Sequence, residues 1–218
     1  MNSPLTESQR SALIEAILPE VPFDGWSRAA LRAAARRCGL AVEEAHALFP
    51  RGAADLVAGF SRWADQRMLD RLEAEPLADA RISDRIAQAI ATRLEIVEPW
   101  REAVRRSLLV LALPHRAPLG ARLVYDTVDA MWYAAGDAAT DFSFYTKRAS
   151  LAAIYSATLL YWLDDRSEGF AETRAFSTGG SPAWLVLAAC VAISTPSPKE
   201  CPTHCDCCAH CAEPHSTA

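Results

Sequence analysis

Apolar residues recur every three or four positions from the start of the chain to about residue 176, and they almost never alternate with polar residues. The first spacing is that of one face of an α-helix, whereas strict alternation is that of a half-buried β-strand. Prolines and glycines divide the pattern into separate segments. We therefore predict an all-α chain of about nine helices.

Residues that favour helix ends lie at the boundaries of the predicted helices. Ser27 and Ser83 are expected to cap two of them, Pro99 and Pro118 to begin two more, and Gly39 to follow a helix end in the left-handed conformation. The predicted spans are 5–18, 28–38, 42–48, 53–72, 84–97, 99–113, 118–133, 143–163 and 168–176. Their predicted core positions are Leu5, Leu13, Ile14, Ile17, Leu18, Ala30, Leu31, Ala34, Ala35, Leu56, Phe60, Trp63, Met68, Ile86, Ile90, Leu94 and Val97.

Net charge excludes one broad class of function. The 218 residues carry a formal charge of −5 and a sequence pI of about 5.6, which argues against a protein whose main role is to wrap nucleic acid. The N-terminus lacks a secretory signal, and no segment approaches the ~20 apolar residues of a spanning helix. We expect a cytoplasmic protein that can lie on the inner membrane. The abundance of alanine and arginine is typical of GC-rich bacterial genes.

Cysteine is confined almost entirely to the C-terminus. Cys38 stands alone in the first 189 residues, and the other six of the seven cysteines lie in the last 29. The run "CPTHCDCCAHC" contains soft-metal ligands, but its spacing matches no closed zinc site. The alternative is an out-of-frame C-terminus. We treat 179–218 as a divergent, disordered tail without a predicted metal site.

The segment "ALRAAARRCGLAVEEAHALFPRGAADLVAGF" has a helix, a turn with glycine, a short helix and then a longer one. In this order and spacing the first 75 residues resemble the helix-turn-helix part of TetR-like regulators. A recognition helix normally carries side chains that contact phosphates and bases. Here the third helix carries Glu43 and Glu44, only partly offset by arginines such as Arg28, Arg32 and Arg36. We predict no nucleic-acid binding, with a TetR-like transcriptional regulator as the alternative.

Catalytic signatures are scarce in the sequence. A carboxylate-bridged di-iron bundle needs Glu-x-x-His motifs on two helices, and the chain has none. It also lacks a nucleophile elbow, a phosphate-binding glycine loop and a dinucleotide fingerprint. Cys38 is interpreted as a small core residue and His115 as a surface residue. We predict no catalytic residue, no cofactor and no enzyme activity.

The segment 143–163 is apolar on several faces. Phe144, Leu151, Tyr155, Thr158 and Trp162 share one face. A second face carries Tyr145, Ala149, Ala153, Ala157 and Leu160, while Ile154 and Tyr161 form a third. Since a helix that is apolar all round is normally buried all round, the pattern indicates either a central bundle helix or a wall of an apolar cavity.

The stretch "TVDAMWYAAGDAATDFSFYTKRASLAAIYSATLLYWLDDRSEGFAETRAF" closely resembles the hallmark region of the Coq nine family, the lipid-binding proteins of ubiquinone (coenzyme Q) biosynthesis. The matching positions include Trp132, Gly136-Asp137, Tyr145-Thr146-Lys147-Arg148 and Trp162-Leu163, followed by Asp165, Ser167, Thr173 and Phe176. The resemblance extends over about residues 5–176. Its hallmark region is 127–176, within a predicted lipid-binding bundle at 76–178.

The resemblance implies a TetR-fold homodimer at the membrane surface. It would bind an isoprenoid quinone intermediate or phospholipid and present it to the demethoxyubiquinone hydroxylase. The implied lipid pocket comprises Trp132, Leu151, Tyr155, Leu159 and Trp162. The implied contacts to a headgroup at the pocket mouth are Arg148, Tyr145 and Phe144. The implied partner patch comprises Asp137, Thr140 and Asp141. For Arg148 a salt bridge to Asp141 or Asp137 is the alternative.

Two features depart from the family pattern. Ser143-Phe144 stands where the family usually has Asn-Trp, so an indole N–H is lost. The family's C-terminal amphipathic helix, which docks on membrane, has no counterpart after residue 176. We therefore expect lipid extraction to be impaired if the tail is out of frame.

Overall fold

The structure is a computed structural model that describes residues 4–74, 80–136, 143–167 and 170–175. The described residues form α-helices and short 3₁₀ turns without a β-strand, which confirms the all-α prediction. The helices are α1 (Pro4–Ile17), α2 (Val21–Asp24), α3 (Arg28–Arg37), α4 (Val42–Leu48), α5 (Ala53–Ala74), α6 (Ile82–Val97), α7 (Arg101–Leu111), α8 (Ala117–Ala134), α9 (Ser143–Asp164) and α10 (Ala171–Ala175). Two 3₁₀ turns, Glu98–Trp100 and Pro114–Arg116, precede α7 and α8.

The predicted helix boundaries hold at α3 and fail at α6. The Ser27 hydroxyl accepts a 3.1 Å hydrogen bond from the Ala30 amide, and Gly39 after α3 has φ of 68°. Ser83 does not cap α6, because that helix begins at Ile82, two residues before its predicted start, and includes Ser83. Its N-cap is Arg81, whose carbonyl accepts the amides of the first turn at 3.0 Å. The one-turn helix α2 was also missed, because Pro22 tolerates a first helical turn as readily as it ends one.

Helix α5 lies at the centre of the fold. It packs against α1 on one side and against α6 and α8 on another, so the two parts predicted at 1–75 and 76–178 share one hydrophobic core. Leu56, Phe60, Trp63 and Met68 are buried there, as predicted. The predicted core residues of α1, α3 and α6 are buried too, except that the Leu5 side chain lies outside the described part.

The prediction that α9 is buried on all sides is wrong. Leu151, Ile154, Tyr155, Thr158 and Trp162 are buried, but Ala149, Ala153, Ala157 and Leu160 lie on the surface of the described chain. For the three alanines the physical reason is their small size. An alanine exposes so little apolar area that its exposure costs little, so hydropathy alone did not distinguish the inner face from the outer one.

No helix in the described part of the chain is long and apolar enough to cross a bilayer. Cys38 is half-buried and packs against the core, with its Sγ 3.7 Å from the Ala12 carbonyl oxygen. His115 is exposed in the turn before α8, as predicted. The Cys- and His-rich tail lies outside the described residues, as do Glu168 and Gly169 at the start of the last predicted helix and Phe176 at its end.

Candidate functional site

A partly open cavity lies between α5, α6, α7, α8 and α9. Its volume is about 90 Å³, which is small compared with the roughly 300–1,000 Å³ of sites that enclose a drug-sized ligand. The wall is mostly apolar, with a few polar side chains. The lining residues are Val57, Phe60, Ser61, Arg93, Val97, Val104, Ser107, Leu108, Leu111, Gly120, Leu123, Val124, Thr127, Tyr155 and Leu159.

A buried ion pair forms part of this wall. Arg93 of α6 donates from Nε to a carboxylate oxygen of Asp65 of α5 at 2.8 Å, and from Nη2 to the Ser61 carbonyl at 3.4 Å. The Thr127 hydroxyl of α8 donates to the same carboxylate, 3.0 Å from one oxygen and 3.1 Å from the other. All three side chains are buried, so the carboxylate joins three helices at one point.

Burial raises the pKa of Asp65 above its ordinary value, although the charge of Arg93 and the hydrogen bonds from Arg93 and Thr127 oppose that shift. Burial also raises the pKa of the neighbouring Tyr155 hydroxyl, with the charge of Arg93 opposing. The phenol therefore stays protonated at neutral pH and remains a hydrogen-bond donor. The site offers donors in an apolar surrounding, which suits a ligand with oxygen acceptors on an apolar body.

Of the five residues of the implied lipid pocket, two line this cavity. Tyr155 and Leu159 contribute to its wall. Trp132, Leu151 and Trp162 are buried in the core but are not among the residues that line it. The Trp132 ring instead lies under the Lys147 ammonium, whose Nζ is 5.6 Å from the ring centroid. A direct lipid contact by these three residues stays a prediction.

Arg148 joins α9 to α8. Its guanidinium is buried and contacts Asp129 at 2.7 Å through Nε and through Nη2. A salt bridge is the alternative considered for this residue, and Asp129 is one such partner, while the acids named for it, Asp141 and Asp137, lie outside the described residues. Arg148 is not among the residues that line the cavity. The side chains of Phe144 and Tyr145 lie outside the described part, as do Asp137, Thr140 and Asp141.

The last hallmark residues form a clasp between α9 and α10. The Asp165 carboxylate accepts hydrogen bonds from the backbone and hydroxyl of Ser167 at 2.8 and 2.6 Å, and from those of Thr173 at 2.9 and 2.5 Å. Burial alone would raise the pKa of Asp165, but these hydrogen bonds together lower it well below its usual range.

Arg101 of α7 closes the other side of the clasp. Its guanidinium lies 5.1 Å from the Trp162 ring centroid and 5.0 Å from that of Phe170, and it donates to the carbonyls of Trp162 and Asp165. A hallmark motif that looks functional in the sequence thus has a structural role at this end of α9.

Sequence reasoning missed Asp65 and Arg93. Each lies within an apolar stripe of its helix, Arg93 between Ile90 and Val97, and Asp65 three residues before Met68. A charged residue at a core position of two helices is the signal that could have identified the pair, because a buried charge requires a partner.

Two sequence comparisons with known proteins point to the same family. Residues 117–179 match the COQ9 family model. The chain is 35% identical over 177 residues to the mitochondrial ubiquinone biosynthesis protein COQ9 of Homo sapiens, covering 78% of this chain and 55% of that protein. For the COQ9 protein of Drosophila melanogaster the identity is 33%, with 77% and 52% covered. The chain thus spans about half the length of these curated relatives.

The fold comparison points to the TetR architecture. A crystal structure of a TetR transcriptional regulator from Nitrosomonas europaea aligns with a TM-score of 0.65 and 22% sequence identity, covering 84% of this chain and 99% of that one. The similarity confirms the predicted TetR-like fold. The hallmark residues, the family match and the relatives lead to one conclusion: the chain is similar to COQ9 proteins over most of its length and has a TetR-like fold.

Proposed function

We propose that this chain is a non-enzymatic lipid-binding protein of ubiquinone biosynthesis, which binds a polyprenylated quinone intermediate or a phospholipid in the cavity between α5 and α9. The observation that carries the proposal is a mostly apolar cavity, with a few polar side chains in its wall, in a chain similar to COQ9 proteins. Apolar walls favour an isoprenoid or acyl chain because they remove its surface from water. The cavity is smaller than such a chain, so one part of the lipid occupies it.

The membrane surface is the proposed source of the lipid, with the protein bound peripherally. Leu109 and Leu113 are 69% and 44% exposed, and they lie next to the lining residues Leu108 and Leu111 near the end of α7. Large exposed apolar side chains beside an open cavity favour contact with a lipid surface. This end of α7 would face the inner membrane and receive the lipid.

A homodimer and a hydroxylase partner complete the proposal. Tyr125 of α8 and Leu160 of α9 are exposed on two helices that line the cavity, and the alanine stripe of α9 would let a second copy approach closely. The demethoxyubiquinone hydroxylase is proposed as the acceptor of the lipid on the strength of the family resemblance. Its proposed contacts are Asp137, Thr140 and Asp141.

The acidic exposed surface of α4 counts against the alternative of a transcriptional regulator. Glu43 and Glu44 of this helix are exposed, where a DNA-binding protein would present groups that contact phosphates. The Glu44 carboxylate accepts the Ala41 amide at 3.3 Å and so serves the start of its own helix. The neighbouring helix α3 does expose three arginines, Arg28, Arg32 and Arg36. Because the carboxylates of α4 partly balance their charge, the region has no dominant basic surface.

The proposal is tested by filling the cavity. Val124→Trp places an indole in the lining of α8, while Ala121→Trp makes the same addition at an exposed position of that helix. Both proteins are purified from ubiquinone-producing cells, and bound lipid is measured by native mass spectrometry. We expect lipid on the wild type and on A121W, and its loss from V124W. Equal lipid on all three would contradict the proposed site.

A further inference from the structure

The cavity is closed at a polar end and open at an apolar one. Arg93, Thr127 and Tyr155 are 5%, 1% and 4% exposed. By contrast, four other lining residues are only partly buried: Gly120, Leu159, Val124 and Leu111. Gly120 and Thr127 are seven residues apart on α8, which is about 10 Å at 1.5 Å per residue. A ligand entering from the open side would meet the polar groups last.

The closed end has spare donors. Five N–H groups belong to an arginine, and within the described part of the chain Arg93 donates only from Nε and Nη2. In the same part of the chain the Tyr155 hydroxyl has no hydrogen-bond partner. It is not one of the polar atoms that are both unpartnered and fully enclosed by protein. Since Tyr155 lines the cavity, its hydroxyl has the cavity as its remaining environment.

The net charge of the closed end is zero, because Asp65 compensates Arg93. A ligand carboxylate or phosphate would bring a second negative charge into this buried place without a second cation to balance it, and such a charge is costly. A neutral oxygen acceptor carries no such penalty. The chemistry of this end therefore selects an uncharged group with carbonyl oxygens.

We propose that the cavity binds the carbonyl-bearing ring of a quinone lipid ring-first, with Tyr155 and Arg93 donating to the ring oxygens and the prenyl tail leaving past Gly120 and Leu111. This inference rests on the proposed lipid-binding function, which already names a quinone, and adds the orientation of the ring and the two side chains that donate to it. It places the polar recognition at the inner end of the cavity, whereas the resemblance implies headgroup contacts at the mouth by Arg148.

The test separates the ring oxygens from the tail. Purified protein in detergent is titrated with decylubiquinone, with decylbenzene, which has a similar tail but no ring oxygen, and with palmitate, which has a carboxylate. Tyr155→Phe removes one buried hydroxyl, and Tyr133→Phe makes the same change at a tyrosine that is 73% exposed. Affinities are read by native mass spectrometry, and the folding of each variant by circular dichroism.

We expect the wild type to prefer decylubiquinone over both decylbenzene and palmitate by at least about tenfold. Tyr155→Phe should weaken decylubiquinone about tenfold and leave decylbenzene unchanged, while Tyr133→Phe alters neither. A wild type that binds decylubiquinone and decylbenzene equally, or an unchanged affinity in Y155F, would overturn the ring-first orientation. The wild-type comparison decides even if Y155F fails to fold. Binding of none of the three lipids would contradict the proposed lipid-binding function itself.

Discussion

Arg93 and Asp65 form an ion pair at 2.8 Å in the interior of the helical bundle. The pair connects α6 to α5, and Thr127 of α8 adds a hydroxyl to the same carboxylate. A buried charge without its partner costs several kcal/mol, whereas an intact pair is close to neutral against apolar packing. The pair is therefore a point at which one substitution affects both stability and the cavity wall.

Asp65→Asn should lower the free energy of unfolding by about 3–5 kcal/mol, because Arg93 would lose its buried counter-charge. Urea denaturation monitored by circular dichroism measures the loss. Asp126→Asn is the matched control, since Asp126 makes an exposed bridge with Arg122 at 3.7 Å and should cost less than about 1 kcal/mol. Similar losses in both variants would show that the buried pair contributes nothing special.

Asp165→Asn should destabilise the protein at neutral pH by about 1–3 kcal/mol, because the carboxylate accepts four hydrogen bonds in the clasp. Its folded pKa is depressed, so this contribution is fully present above the ordinary carboxyl value of about 3.9 and is lost as the pH falls below it. The difference from wild type should therefore shrink between pH 5 and pH 3. Asp164→Asn, at an exposed neighbour, should be nearly neutral at each pH.

Arg148→Gln tests whether this arginine serves the bundle or a lipid headgroup. Its bridge to Asp129 joins α9 to α8, so we expect a loss of about 1–3 kcal/mol in unfolding free energy. The lipid bound per folded chain should not change, because the side chain does not line the cavity. Unfolding and native mass spectrometry on one preparation distinguish the two roles. Unchanged stability with loss of lipid would favour the headgroup role.

The protein should not retard a DNA duplex at physiological salt. Glu43 and Glu44 are exposed on the helix that would approach the groove, and a net charge of −5 gives no attractive field. An electrophoretic shift assay over 50–200 mM salt measures this directly. A retarded complex that weakens steeply with salt would instead support the regulator alternative.

Much of the fold could be predicted from spacing alone, because core residues such as Leu13, Leu56 and Ile90 repeat with the helical period. The exposure of Ala149, Ala153 and Ala157 could not, because alanine is tolerated on either face of a helix. In the candidate site, Tyr155 and Leu159 were predicted by resemblance and line the cavity. The pair of Asp65 and Arg93 was missed because a charged residue is normally predicted to be exposed to solvent. A single sequence does not show which residue of another helix is its partner.

The lipid content of the purified protein tests the central claim most directly. Wild-type protein isolated from ubiquinone-producing cells is analysed by native mass spectrometry, and the released ligand is identified by its fragmentation. We expect a prenylated quinone or a phospholipid bound to the wild type and to Ala121→Trp, and an empty Val124→Trp. Wild-type protein that is free of lipid, folded and unable to take up decylubiquinone would contradict the proposed lipid binding.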